Sequence, residues 1–238
     1  MQSCQLSKFC LSLCGLAYNR GVMDYSVISF SVHAGEADPL KPFIRTWDVN
    51  KAGIGKLYGI VEVLSGPAQD ISEVVWEGVE TSIKNEPILS VTGYLQQMVE
   101  SSHNNLSAYA ARGWTASLTL VAFQENSFYL ATAGPSLINL YNQGRIHDIP
   151  SASRDTLGKG VALGETGDFV VHLAYQDFSD DDSLLISWLG LKSLINTEEL
   201  SSLFGRGAEL VSRNLYRLIN DESEFALLLA FKEDNGGV

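Results

Sequence analysis

Metal, nucleophilic and acid–base chemistry each need particular side chains brought to one point, and few candidates here are spaced for it. The four histidines, His33, His103, His147 and His172, stand singly on strand-like or helical stretches, without the short spacings that zinc ligands use. They read as ordinary surface or core histidines. The three cysteines, Cys4, Cys10 and Cys14, all fall in the first 14 residues. The rest of the chain therefore has no thiol nucleophile and no disulfide framework. Serines are plentiful, yet there is no Gly-x-Ser-x-Gly elbow, no P-loop and no dinucleotide glycine fingerprint. Asp180-Asp181-Asp182 is a dense run of hard oxygen donors. On a hairpin, alternating side chains diverge instead of converging on one cation, so this turn reads as a solvated loop.

Composition narrows the partners. The net charge of -12 argues against nucleic acid, whose phosphates need clustered Lys and Arg. Hydrophobic residues make up 45% of the 238, enough for a sizeable core. The apolar stretch Phe9 to Ala17 follows Lys8 and loosely resembles a signal peptide, but it is too short to span a bilayer. It reads either as a dispensable or docking segment or as an export signal, and Met23 is an alternative start. No transmembrane segment is expected. The expected organisation is an N-terminal segment, 1–22, outside the core, followed by one domain, 23–238, in the cytoplasm.

The elements that must position any site follow from periodicity. Tyr25 to His33 and Lys56 to Leu64 alternate as strands. Asp70 reads as the cap of a helix with Ile71, Val74, Val75, Val79 and Ile83 on one face, stopped by Pro87. Ser90 opens a longer helix to about Ala111, with Leu95, Met98, Val99, Leu106 and Tyr109 inward. Thr115–Gln124 and Ser127–Ala133 form one hairpin, and Leu137–Tyr141 and Arg145–Ile149 another around Gln143-Gly144, so three or four antiparallel strands follow in a row. Strands Phe169–Tyr175 and Ser183–Trp188 flank the acidic turn. Thr197 is the expected N-cap of a helix to Phe204, and Gly207–Asn220 is amphipathic through Leu210, Val211, Leu215 and Leu218. Phe225 to Phe231 is a continuous apolar run, hence a central strand. The order predicts an α+β fold: a four-layer α-β-β-α sandwich of two antiparallel sheets flanked by helix pairs.

This order, with five local strings, resembles the metal-dependent protein serine/threonine phosphatases of type 2C. The strings are Tyr58 to Gly66, Tyr129 to Ser136, Gly160 to Gly164, Trp188 to Leu191 with Asn196 to Leu200, and Ser223 to Leu229. They span about residues 25 to 231 in the family's order. The resemblance implies hydrolysis of a phosphate ester by water bridging two Mn²⁺ or Mg²⁺ ions, which needs converging carboxylates.

Position by position, those carboxylates are mostly replaced. Glu62 stands for the first aspartate of the Asp-Gly turn and Val63 for its glycine. Pro135 replaces the aspartate of Gly-Asp-Ser. Leu189, followed by Gly190, replaces that of Ser-Asp-Gly. Ser223 aligns with the last metal aspartate, and the early acidic pair maps onto Trp47-Asp48. Asp48, Glu62 and Asp221 are the residual carboxylates, with Glu62 open to a second reading as a strand-end surface acid. The expectation is a pseudophosphatase without catalytic residues, metal or other cofactor, engaging a protein partner. The alternatives are an atypical Mn/Mg-dependent phosphatase, or a small-molecule-binding domain whose former cleft is made apolar by Val63, Leu64, Trp188 and Leu189.

Overall fold

The computed structural model describes residues 25–33, 36–37, 42–85, 90–150, 162–219, 221–222 and 224–232. Strands β1 (Tyr25–His33), β2 (Glu36–Ala37), β3 (Ile44–Lys51) and β4 (Ile54–Ser65) lead into helices α1 (Ala68–Lys84) and α2 (Val91–Ser107). A 3-10 turn (Ala110–Arg112) precedes β5 (Thr115–Gln124), β6 (Ser127–Ala133), β7 (Leu137–Asn142) and β8 (Arg145–Asp148). Then come β9 (His172–Asp177), β10 (Ser183–Ser187), α3 (Leu191–Leu194), α4 (Thr197–Phe204), α5 (Ala208–Ile219) and β11 (Phe225–Lys232).

The strands form two antiparallel sheets, ordered β2-β1-β11-β10-β7-β8 and β3-β4-β5-β6-β9. Helices α1 and α2 cover the outer face of the second sheet; α4 and α5 cover that of the first. This is the expected four-layer α-β-β-α sandwich. Alternation along β4 and β5 divides the core, with Tyr58, Ile60, Val121 and Phe123 facing the other sheet and Leu57, Val61, Leu118 and Leu120 facing the helices. β11 is buried from Phe225 to Phe231 and central in its sheet, as its unbroken apolar run requires.

Several expectations need correction. The strands from β5 to β8 are not one row. β5–β6 belong to one sheet and β7–β8 to the other, and the chain crosses at Gly134-Pro135. Gly134 has φ 81, and a Cβ there would lie 2.7 Å from Ser117 Cβ. β9 and β10 likewise lie in different sheets, so the acidic run is a crossover and not a hairpin. Asp182 there is only 3% exposed. It accepts from Ser179 N at 2.7 Å and from Asn142 Nδ2 at 2.7 Å, which makes it a structural bracket. Burial pushes its carboxyl above the usual range, against those two bonds.

Asn196, not Thr197, caps α4. Its side chain accepts from Glu199 N while the Glu199 carboxylate accepts from Asn196 N, a complete capping box. Pro67, not Asp70, precedes α1; Asp70 lies in its first turn, where a negative charge suits the helix dipole. Leu218 faces outward, 36% exposed. β3 and the one-turn α3 have no counterpart in the sequence reading, since β3 mixes exposed Thr46 and Asp48 with buried Ile44 and Val49 at a sheet edge. The expected N-terminal segment, 1–22, lies outside the described residues.

Helices α1 and α2 touch backbone to backbone at Gly78, where a Cβ would meet Ser102 Cα at 2.4 Å and Ser102 N at 2.6 Å. Ser102 Oγ locks the crossing by donating to Val75 O at 2.9 Å. Gly78→Ala is therefore expected to lower stability by about 1–3 kcal/mol in urea unfolding, although alanine is the better helix former by about 1 kcal/mol.

Candidate active site at the end of the sandwich

Four strand ends and one turn converge where the sequence places the degenerate site. β4 carries Glu62 on the face toward the other sheet, in register with Ser117 of β5. Ser117 abuts Gly134 at the sheet crossing, and the neighbouring Thr119 Oγ1 donates to Ser136 Oγ at 2.9 Å. From the opposite sheet, β10 ends in Trp188-Leu189-Gly190, beside the start of β11. Glu62, Val63, Pro135, Leu189 and Gly190 thus share one end of the molecule.

Two hydrogen bonds join the sheets at this end. Trp188 Nε1 donates to Val61 O at 2.8 Å, and Leu189 N donates to Glu62 Oε2 at 3.1 Å. The Trp188 indole is 8% exposed and packs edge-on against Phe43 at 5.0 Å and tilted against Phe225 at 5.8 Å. Its ring occupies the space between the sheets. Leu64 and Leu189 are 41% and 40% exposed, so they sit at the rim and do not line a deep apolar pocket.

Burial pushes the Glu62 carboxyl up to about 7, with the Leu189 N–H pulling the other way. No cation is among the causes.

The other expected carboxylates do not join it. Asp48 pairs with Lys56 across β3–β4, six residues before Glu62 on β4. At about 3.3 Å per residue, that puts them ~20 Å apart along the strand. Asp48 is also exposed. Two residues can sit close in a motif's order yet far apart on an extended strand. Asp221 is exposed in the turn before β11, and Ser223 lies outside the described residues. Among the described residues, no group of three or more His, Cys, Asp and Glu is placed to hold a metal ion. The described residues do not assemble a two-metal centre.

Sequence reasoning missed the hydroxyls of Ser117, Thr119 and Ser136, all buried at this end. Their signal, polar residues at inward positions of otherwise apolar strands, is visible only once the sheet faces are assigned. It also left His103 without a role. His103 Nδ1 accepts from Gly164 N at 3.3 Å, and its ring stacks on Phe169 at 3.9 Å, tying the chain after residue 161 to α2. Burial holds its pKa below the usual histidine range.

No family model matches the sequence, and no curated protein does. Solved structures match the fold. PppA, described as a key regulatory component of the T6SS in Pseudomonas aeruginosa, superposes with TM-score 0.64 at 18% identity over 88% of this chain and 97% of its own. The serine/threonine phosphatase of S. agalactiae gives 0.68 at 15% identity over 88% and 100%. The catalytic domain of the serine/threonine protein phosphatase PstP, in complex with two manganese ions, gives 0.67 at 16% over 88% and 99%. At these identities the likeness concerns the fold alone.

The state of Glu62 predicts a pH signature. Its folded pKa, about 7, lies above its ordinary 4.5. The stability it contributes is therefore complete below pH 4.5 and is lost as pH rises through about 7. Glu62→Gln keeps an acceptor for Leu189 N and removes the charge. It is expected to be neutral near pH 4.5 and to stabilise by about 1–2 kcal/mol at pH 8 in urea unfolding, discounted for partial exposure.

Proposed function

We propose that this chain, which has the fold of the type 2C protein serine/threonine phosphatases, is a pseudophosphatase acting through a protein partner. The observation that carries the reading is the Leu189–Glu62 contact. The resemblance calls for an aspartate at 189, and there a leucine backbone N–H donates to the remaining acid of the turn, Glu62, at 3.1 Å. One carboxyl by itself cannot compensate two dications about 3.5–4 Å apart, nor hold them so that a water between them is activated. Without such ions nothing among the described residues of this end neutralises charge on transferring phosphoryl oxygens. These residues give metal-assisted hydrolysis no footing.

The partner reading is supported by the exposed Leu64 and Leu189 at the rim beside Glu62, and by a net charge of -12 that favours basic protein surfaces over nucleic acid. PppA's description as a regulatory component lends weight to a regulatory use of the scaffold. No helix among the described residues is long and apolar enough to cross a membrane. The reading includes residues 23–238 as one folding unit in the cytoplasm, with 1–22 outside it.

Calorimetric titration with Mn²⁺, paired with an aryl phosphate assay, tests the proposal. The expected outcome is no saturable binding and no turnover above buffer. Saturable Mn²⁺ binding with turnover that Glu62→Ala abolishes would put an atypical phosphatase in its place. For the domain boundary, a chain begun at Met23 is expected to melt within about 2 °C of the full chain, less than the shift that a loss of 1 kcal/mol gives at this size.

A further inference from the structure

The two sheets leave an open seam along one side, where the β8 edge of one faces the β9 edge of the other. Among the described residues this seam holds a cavity of about 600 Å³, within the range of small-molecule sites. Its lining includes none of Glu62, Val63, Pro135, Leu189 and Gly190, and it approaches that end only at Thr132, the cross-strand partner of Thr119. Leu140, Ile149 and Pro150 line it from one sheet and Ala174 from the other.

Thr132 and His172 also line the cavity, and they are direct register partners across β6 and β9. Thr132 is 2% exposed. Thr132 Oγ1 and His172 Nε2 are both buried, and neither has a hydrogen-bond partner among the described residues. Folded proteins pair nearly all such atoms, because leaving one unpaired destabilises by about 1–3 kcal/mol. The two lie side by side on strands that line the cavity and are shielded from water in the ligand-free fold, so a ligand that enters the seam and parts these side chains gains a hydroxyl and an imidazole nitrogen that no described residue satisfies.

The rim sets the charge of that ligand. Asp148 and Asp177 line the cavity, whereas no Lys or Arg among the described residues does. With His147 and His172 as the only other titratable side chains of the described lining, the two carboxylates disfavour phosphate esters and other anions. The apolar walls suit the face of a ring, and the threonine hydroxyl and imidazole suit its hydrogen-bonding edge.

We propose that the seam between β8 and β9 binds an uncharged, hydrogen-bonding heterocycle of nucleoside size, recognised by Thr132 and His172. The test is calorimetric titration of the full chain with adenosine and cytidine and with their monophosphates. Saturable binding of at least one nucleoside is expected, at least tenfold weaker for its monophosphate. Thr132→Val is expected to weaken that binding at least tenfold. It is also expected to raise the melting temperature of the ligand-free protein by about 2–4 °C, because it removes an unpaired buried hydroxyl. His172→Phe is expected to weaken binding likewise, and serves if the first variant does not fold. Absence of saturable binding by both nucleosides overturns the proposal. So does equal affinity for the monophosphates, binding unchanged in both variants, or a lowered melting temperature for Thr132→Val.

Discussion

The contact on which this molecule turns is the pair of hydrogen bonds that clasp its two sheets at one end. Trp188 Nε1 to Val61 O and Leu189 N to Glu62 Oε2 are made by adjacent residues on each side, so they act as one two-point link. In a two-metal phosphatase, bound ions would join carboxylates across such an end. Here an indole N–H and a backbone N–H reach across to a carbonyl and a partly buried acid. The indole packed between Phe43 and Phe225 shields its own bond to Val61 O, while the Leu189–Glu62 bond lies at the surface.

The replacements at this end agree with one another. A proline at 135 supplies the sheet crossing with neither an acid nor an N–H, and Gly134 before it keeps the left-handed backbone that lets the chain pass Ser117. Val63 packs with both sides of the core, where a glycine would leave a void. Leucine at 189 places its side chain at the rim and gives its backbone to Glu62. Each of these residues supports packing, the crossing or the clasp.

The polar character of the molecule is displaced to its side. At the clasped end, Thr119 and Ser136 satisfy each other. Thr132, one strand over, and His172 beyond it lack that closure among the described residues. The same face of the same sheet is thus paired off at its end and unpaired at its seam, where the sandwich edges leave room.

Strand and helix periods, the buried run of β11 and the order of elements are legible from the residues, because alternation by two or by 3.6 is a local consequence of which face is buried. The residue types at 63, 135 and 189 need no coordinates to read, and it is the resemblance that singles those positions out. Chain order does not convey which strands share a sheet. The crossings at Gly134-Pro135 and at Asp180 to Asp182 depend on backbone handedness and long-range pairing, and a turn between two strands looks the same in sequence whether or not they pair. Distance is hidden for the same reason: Asp48 and Glu62 belong to neighbouring strands, yet antiparallel register sets them ~20 Å apart. The clasp joins residues 127 positions apart, and the Thr132–His172 couple also links strands distant in the chain. Only tertiary packing brings either pair together.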